Sequence, residues 1–375
     1  MLIKDIGEQG LLRILQKFCP AEIVGDDCAV LPTNPHQSLA VTTDMLVDGV
    51  HFSDRTTSPY DAGWRAAAAN LSDLAAMGAK PLAVTVALAV TADTAVLWVE
   101  EFYRGMTACL EVYHTPIAGG DVVRSSVVTI SITAFGEVEC DRTIRRSNAR
   151  SENWAIVATG VHGASRAGLE LLLNPEFGLN LEKGDRTSLI LAHQRPKPRL
   201  DVLPMLWEIL GCEGEIEPPL SPPLGKGGKQ DLNSPPLSKV GVNSPPLTKG
   251  GPGGVNSPIA IAGMDSSDGL ADAIIQVCRA SGVGAKVDRT KIPIPPSLSE
   301  IVSAEKALDW ALYGGEDFEL VLFLPIANAE LLVEKIGNGA AIIGMTTDST
   351  DIWLTDSSGI YGDIRLESDR GFQHF

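Results

Sequence analysis

The chain has 375 residues, enough for two α/β domains with separate cores, since domains commonly hold roughly 100–200 residues. Apolar residues at 44% and charged residues at 21% exclude a disordered chain, and a formal charge of -17 excludes a nucleic-acid binder held by Lys and Arg clusters. If the ligands are anions, cations must mediate.

Residues 1–15 carry charges throughout and lack an apolar h-region, so no signal peptide is expected. Hydrophobic periodicity predicts a helix over 8–18, a strand over 39–43, a helix over 59–78, a strand over 82–90, a helix over 94–114 and a strand over 127–135. The most apolar stretch, 82–99, is interrupted by Thr85, Thr91, Asp93 and Thr94; it reads as a strand followed by a helix, and no membrane span is expected. A charged, turn-rich stretch at 142–153 marks the expected junction between an N-terminal domain, 1–145, and a C-terminal domain, 146–375. The second series runs through a strand at 154–159, helices at 166–173 and 199–210, a strand at 259–264, a helix at 268–281, and strands at 318–323 and 341–344.

Between 218 and 258 three imperfect copies of a Ser-Pro-Pro-Leu unit interrupt this series. Pro and Gly dominate and almost nothing can be buried, so a low-complexity disordered insert at a surface site is expected, with docking of an SH3-like partner as the alternative. The insert holds four Lys and one Asp, so the acidity belongs to the rest of the chain. Cys19, Cys28, Cys109, Cys140, Cys212 and Cys278 show no CxxC pairing and read as reduced core residues of a cytoplasmic protein without structural zinc.

No GxxxxGK[ST] loop follows a strand, so any ATP site must work without a P-loop. Carboxylates instead recur at strand ends and turns: Asp26-Asp27, Thr42-Thr43-Asp44, Asp73, Gly120-Asp121, Asp265 with Asp268, and Glu316-Asp317. Gly-Asp-Asp alone is more often a solvated turn than a ligand set. Thr43-Asp44 closes an apolar strand, where open α/β sheets present ligand-binding groups. Asp73 is the only charge in the helical run 66–77; on a covered face it needs a partner, which a metal would supply, and an exposed Asp on a tolerant face is the alternative. Asp265 and Asp268 straddle a strand-to-helix turn whose N–H groups and dipole favour phosphate. Capping, with Ser267 as N-cap, would explain Ser267 and Asp268 but not Asp265. Carboxylates repel phosphate unless a hard divalent cation lies between them, and Asp and Thr oxygens without a His or Cys cluster select Mg2+. Several such ions would neutralise ATP and a phosphorylated acceptor together, and the acceptor's phosphate oxygen would attack.

Taken in order, GDDCA at 25–29, VTTDMLVDGVHF at 41–52, NLSDLAAMGAKP at 70–81, GGD at 119–121, GMDSSDGL at 263–270, GGEDFEL at 314–320 and the closing GFQHF resemble the thiamine-monophosphate kinase family, within the aminoimidazole-ribonucleotide synthetase-like superfamily of ATP-dependent enzymes. The resemblance covers essentially the whole chain outside the insert. It implies a two-domain α/β fold: an N-terminal domain whose mixed sheet pairs in a homodimer, a C-terminal α/β domain, and a cleft between them for ATP, the phosphoryl donor, and several Mg2+ ions. It implies Mg2+ ligands at Asp27, Thr42, Thr43, Asp44, Asp73, Asp121, Asp265 and Asp268, with Asp44, Asp73, Asp265 and Asp268 at the catalytic centre. ATP contacts are implied at Tyr103, Gly120, Asp121, Ser267 and one of Arg145 and Arg146, and thiamine monophosphate contacts at His51, Glu316 and Phe372. From the residues alone His51 reads as a satisfied structural histidine and Phe372 as a core or tail-docking aromatic.

The family pattern is altered at Val122-Val123, at Ser151-Glu152-Asn153, at His162-Gly163-Ala164-Ser165 and at Phe372, where Trp is common; no metal carboxylate is lost. The rival readings are another ATP-dependent enzyme of the superfamily, whose reactive Cys near either terminus is not found here, and a non-catalytic nucleotide- or metal-binding protein, which would be expected to lose some carboxylates.

Overall fold

The computed structural model describes residues 1–20, 33–139, 141–151, 153–211, 260–367 and 370; Asp27, Phe372 and the 218–258 insert lie outside them. Helix α1 (Ile3–Leu15) begins earlier than the periodicity predicts and closes in a 3-10 turn, Gln16–Phe18. Then come β1 (Gln37–Val47), α2 (Pro59–Ala76), β2 (Lys80–Val90), α3 (Val96–Val112), β3 (Ile117–Arg124) and β4 (Thr129–Glu139). The sheet order is β1-β4-β2-β3, with β2 and β3 parallel and the other neighbours antiparallel. A parallel pair needs a crossover, and α3 supplies it. β3 falls where no strand is predicted, because Gly119 and Gly120 dilute its strand signal.

Side chains alternate along β1. Ala40, Thr42, Asp44 and Leu46 turn toward α2, whereas Leu39, Val41, Thr43 and Met45 stand on an open face. Helix α2 starts cleanly: Ser58 Oγ accepts the Asp61 N–H at 3.1 Å, Pro59 pre-sets the first turn, and such a cap contributes about 1 kcal/mol. α2 and α3 lie unusually close. A β-carbon on Gly63 would stand 1.9 Å from the Phe102 carbonyl oxygen, and one on Gly105 would stand 1.8 Å from that of Tyr60, so both positions exclude a side chain.

The second half comprises β5 (Trp154–Ala158), α4 (Ala164–Leu173), α5 (Lys183–Gln194), α6 (Val202–Ile209), β6 (Ala262–Asp265), α7 (Leu270–Ser281), β7 (Gly284–Asp288), α8 (Ala304–Tyr313), β8 (Leu320–Pro325), α9 (Ile326–Ile336), β9 (Ala341–Thr347), β10 (Ile352–Thr355) and β11 (Ile364–Arg365). The seven strands run in the order β11-β10-β7-β9-β5-β8-β6. Helix α2 joins the halves. Its Ala66, Ala67, Leu71 and Leu74 pack in the first core, and its Ala75 and Ala76 pack with Val157, Leu203, Leu206 and Leu322 of the second half. Small side chains on α2 are what allow a sheet on each side to approach it. Cys109 and Cys278 are buried free thiols, and Cys19 is half-buried and free. Among the described residues, no helix is long and apolar enough to cross a membrane.

Candidate active site

An acidic cluster forms where β1, α2 and the turn from β6 into α7 meet. Thr42 Oγ1, at the middle of β1, donates to Asp73 Oδ2 of α2. The Asp44 N–H donates to Asn70 Oδ1 at 3.2 Å, while the Asn70 amide is itself anchored on the Ala66 carbonyl at 3.0 Å. From the other half, Asp265 ends β6 and accepts from Ser72 Oγ at 2.6 Å and from Ser267 Oγ at 2.9 Å. Asp265 is 3% exposed, and Asp268 stands exposed at the rim.

These groups raise one another's proton affinity. Burial, followed by Asp265 and Asp268, pushes Asp44 up to about 6. Burial and then Asp44 push Asp73 up to about 6, against the opposing pull of the Thr42 hydroxyl and the Arg146 guanidinium. Burial and then Asp73 take Asp265 to about 6, against the two serine hydroxyls. Buried carboxylates faced chiefly by one another, with oxygen donors around them, suit a hard cation. Among the described residues, no three His, Cys, Asp or Glu side chains come close enough to hold one ion by themselves.

The capping alternative at 263–270 does not hold. Helix α7 starts at Leu270 behind Gly269, without a side-chain cap, and Ser267 spends its hydroxyl on Asp265. Arg146 is exposed and donates to Gln276 Oε1 of α7, which in turn donates from its amide to Asp272. Arg146 acts on Asp73, and the Ser281 hydroxyl fixes its backbone by donating to the Arg146 carbonyl at 2.7 Å. Arg145 is exposed, and its N–H donates to the Ile261 carbonyl at 3.3 Å.

Other expected site residues stand apart. Thr43 lies on the open face of the first sheet, where Thr133 Oγ1 donates to it at 3.2 Å. Asp121 is on the same face, since its neighbour Val122 packs into the first core and Asp121 pairs with Ala87 in register. Gly120, just before it, is exposed, and a β-carbon there would meet the Val86 carbonyl oxygen at 2.1 Å. Tyr103 is 4% exposed, packed between Phe18 and Phe102, and burial raises its phenol. His51 Nδ1 accepts the Val47 N–H at 3.0 Å. Glu316 lies at the boundary of the two halves, where it pairs with the buried Arg65. Arg65, Asn70 and Ser72 hold Glu316, Asp44 and Asp265 in place, and the carboxylate pattern alone does not reveal them. A cavity of about 490 Å³ lies in the second half between Arg289, Leu308, Tyr313, Leu354 and Arg370, and no member of the acidic cluster lines it.

Two halves meeting at an acidic cleft define the class, a two-domain enzyme of AIR synthase-like fold; the family model "AIR synthase related protein, N-terminal domain" matches residues 25–138. A thiamine-monophosphate kinase of Synechococcus elongatus is 43% identical over 375 residues, covering 100% of this chain and 98% of that protein. The Escherichia coli K12 thiamine-monophosphate kinase is 33% identical, covering 84% of this chain and 80% of its own length. The solved structure of AaThiL complexed with AMPPCP and TMP superposes with a TM-score of 0.64 at 26% identity, covering 98% of this chain and 99% of that one. The chain belongs to the thiamine-monophosphate kinase family.

Proposed function

We propose that this chain carries out the reaction of its family, the ATP-dependent phosphorylation of thiamine monophosphate to thiamine diphosphate, by direct transfer at the acidic cleft. The observation that carries the mechanism is the convergence of Asp44 and Asp73 from the first half with Asp265 and Asp268 from the second, each raising the proton affinity of another. Bound Mg2+ would neutralise the phosphates of both substrates and orient their oxygens for in-line displacement. The chain's own part is positional. Thr42 fixes Asp73, Ser72 and Ser267 fix Asp265, and Asn70 fixes the backbone of Asp44, so the ligand oxygens are set before substrate arrives. Arg146, steered by Gln276, is the arginine we assign to ATP. Glu316, with His51 and Phe372, is assigned to the thiamine end.

The same reading places the chain in the cytoplasm as a homodimer. Leu39, Val41, Met45 and Val123 are each more than half exposed on the open face of the first sheet, which favours burial against a second copy. Thr43 and Asp121 would then lie at that interface.

The test is to incubate the full chain with ATP, Mg2+ and thiamine monophosphate and to separate the products chromatographically. Thiamine diphosphate and ADP are expected in equal amounts. No thiamine diphosphate at high enzyme concentration would defeat the assignment.

A further inference from the structure

A polar stripe runs along α2 at the boundary between the halves. Asp61, Arg65 and Ser72 lie four and then seven residues apart, which puts them on one side of the helix, and each reaches across to the second half. Asp61 takes Arg195 Nε at 2.6 Å and Ser72 donates to Asp265, while Arg65 binds Glu316.

Arg65 is 3% exposed and held from behind. One terminal nitrogen donates to the His193 carbonyl and lies 3.2 Å from His193 Nδ1; the other donates to Glu316 Oε1. His193 is a neutral acceptor here, because burial, then Arg65 and Arg166, push it down to about 2. Glu316 Oε2 stands 3.6 Å from the same ring nitrogen, beyond hydrogen-bond reach. Glu316 remains open on its other side, with its side chain 37% exposed. Its backbone adopts φ +59°, a strained conformation for a non-glycine residue, pinned by its N–H donating to the Ser267 carbonyl at 2.7 Å.

We infer that Arg65 is a positioning residue that sets substrate specificity: it neutralises Glu316, so that this carboxylate meets the substrate as a fixed hydrogen-bond acceptor for the aminopyrimidine and not as a counter-ion for the thiazolium. The inference rests on the reading of Glu316 as a substrate contact. A lone carboxylate would favour any cation, whereas a carboxylate paired with a guanidinium has no net charge and keeps only its directional lone pairs. Arg65 and Asp73 share one rigid helix, about 12 Å apart along its axis, so α2 also fixes the span between the pyrimidine acceptor and the acidic cluster.

Steady-state kinetics of the full chain test this with Arg65→Gln, Arg65→Lys, Glu316→Gln and the Arg65→Gln/Glu316→Gln pair. Arg65→Gln is expected to raise KM for thiamine monophosphate about 10-fold or more while KM for ATP and kcat stay within about 3-fold. Arg65→Lys, which restores charge without the fork, recovers part of the loss. The double variant is no worse than Arg65→Gln, since the two residues act as a unit. An analogue with oxygen in place of the pyrimidine amine is rejected by the wild-type chain and less so by Glu316→Gln, whose amide can donate. Should Arg65→Gln aggregate, Arg65→Lys decides by the same split: a raised KM for thiamine monophosphate with KM for ATP and kcat kept supports the inference, and unchanged or equally worsened constants overturn it. Equal loss in kcat and both KM values, additive single effects, or an unchanged analogue preference in Glu316→Gln would each overturn the inference while leaving the kinase reading intact. A wild-type chain that forms no thiamine diphosphate would remove the kinase reading, and this inference with it.

Discussion

The carboxylates of the cleft and those bordering α2 and the 314–320 loop are chemically alike, yet they sit in opposite electrostatic settings. In the second group each charge has its own donor. Asp61 takes Arg195 Nε and Ser58 Oγ, both at 2.6 Å, and Glu316 takes Arg65. Asp317 receives the N–H groups of Gly163 at 2.7 Å and Ser165 at 2.9 Å at the start of α4. Burial lifts Asp317 to about 7, and those two N–H groups restrain the rise. Glu319 takes Arg199 and the Thr159 hydroxyl. In the cleft, by contrast, Asp44, Asp73 and Asp265 face one another. Carboxylates that take a guanidinium or backbone N–H groups hold the fold together, and Asp73 and Asp265, which have only neutral hydroxyl donors beside a facing carboxylate, are poised with Asp44 for cations from solution.

The largest effect that could break this contrast is on turnover. Asp44→Asn is expected to lower kcat/KM about 1,000-fold or more, measured by ADP release, while the metal-free protein becomes about 1–2 kcal/mol more stable in chelator because a buried charge, further repelled by Asp265 and Asp268, is gone. Wild-type turnover by this variant would show that the cleft is not the catalytic centre. The satisfied group should behave the other way. Arg199→Met strands Glu319 beside Thr159 and is expected to cost about 3–5 kcal/mol in urea unfolding, with KM for ATP unchanged in the folded fraction. An unaltered unfolding midpoint would mean that the Arg199 pair contributes nothing to the fold.

A third, smaller effect appears in the pH dependence. Asp44, Asp73 and Asp265 hold protons up to about 6 in the folded chain, against an ordinary value of 3.8. Between about pH 4 and 6 the folded state therefore binds more protons than the unfolded one, and this cluster's contribution to stability falls as pH rises. His193, depressed by burial, acts in the opposite sense and loses stability as pH drops below its ordinary 6.5. The difference between wild type and Asp73→Asn isolates the carboxylates: in chelator the stability advantage of Asp73→Asn should grow from pH 4 to pH 6.5. Mg2+ should raise the wild-type Tm more at pH 7.5 than at pH 5. A Tm gain independent of pH would place the cation elsewhere.

Much of the cleft was readable from local pattern. Asp73 is the lone charge in the alanine-rich run 66–77, and Asp265 is the residue that capping could not explain. Asp44 is expected to close a strand at 39–43, whereas β1 continues to Val47 and presents Asp44 from its interior, because the alternation of side chains carries on past it. What stayed hidden depends on distance and register. Arg65 meets a partner 251 residues away, and its one local trace is the Asp61, Arg65, Ser72 stripe, which carries meaning only once a second half is known to cover it. Side-chain parity in β1 already separates Thr43 from Thr42 and Asp44, but whether the open face is covered is a property of the assembly. Helix α5 escaped because Lys183, Asp185 and Arg186 crowd its first turn and its buried side, Leu189 with His193, is narrow.

The smallest expected effect concerns the 218–258 insert, which lies outside the described residues. It joins α6 to β6, the strand that ends in Asp265, so a task for it would be felt at the cleft. Loop closure changes by only about 0.6 kcal/mol for each halving of length, so shortening it should leave β6 in place and stability slightly raised. Replacing 218–258 by a short Gly/Ser linker is therefore expected to keep kcat and both KM values within about 2-fold. A soluble deletion variant with a large loss of turnover would show that the insert supports the position of Asp265, and would move it from tolerated insertion to part of the catalytic scaffold.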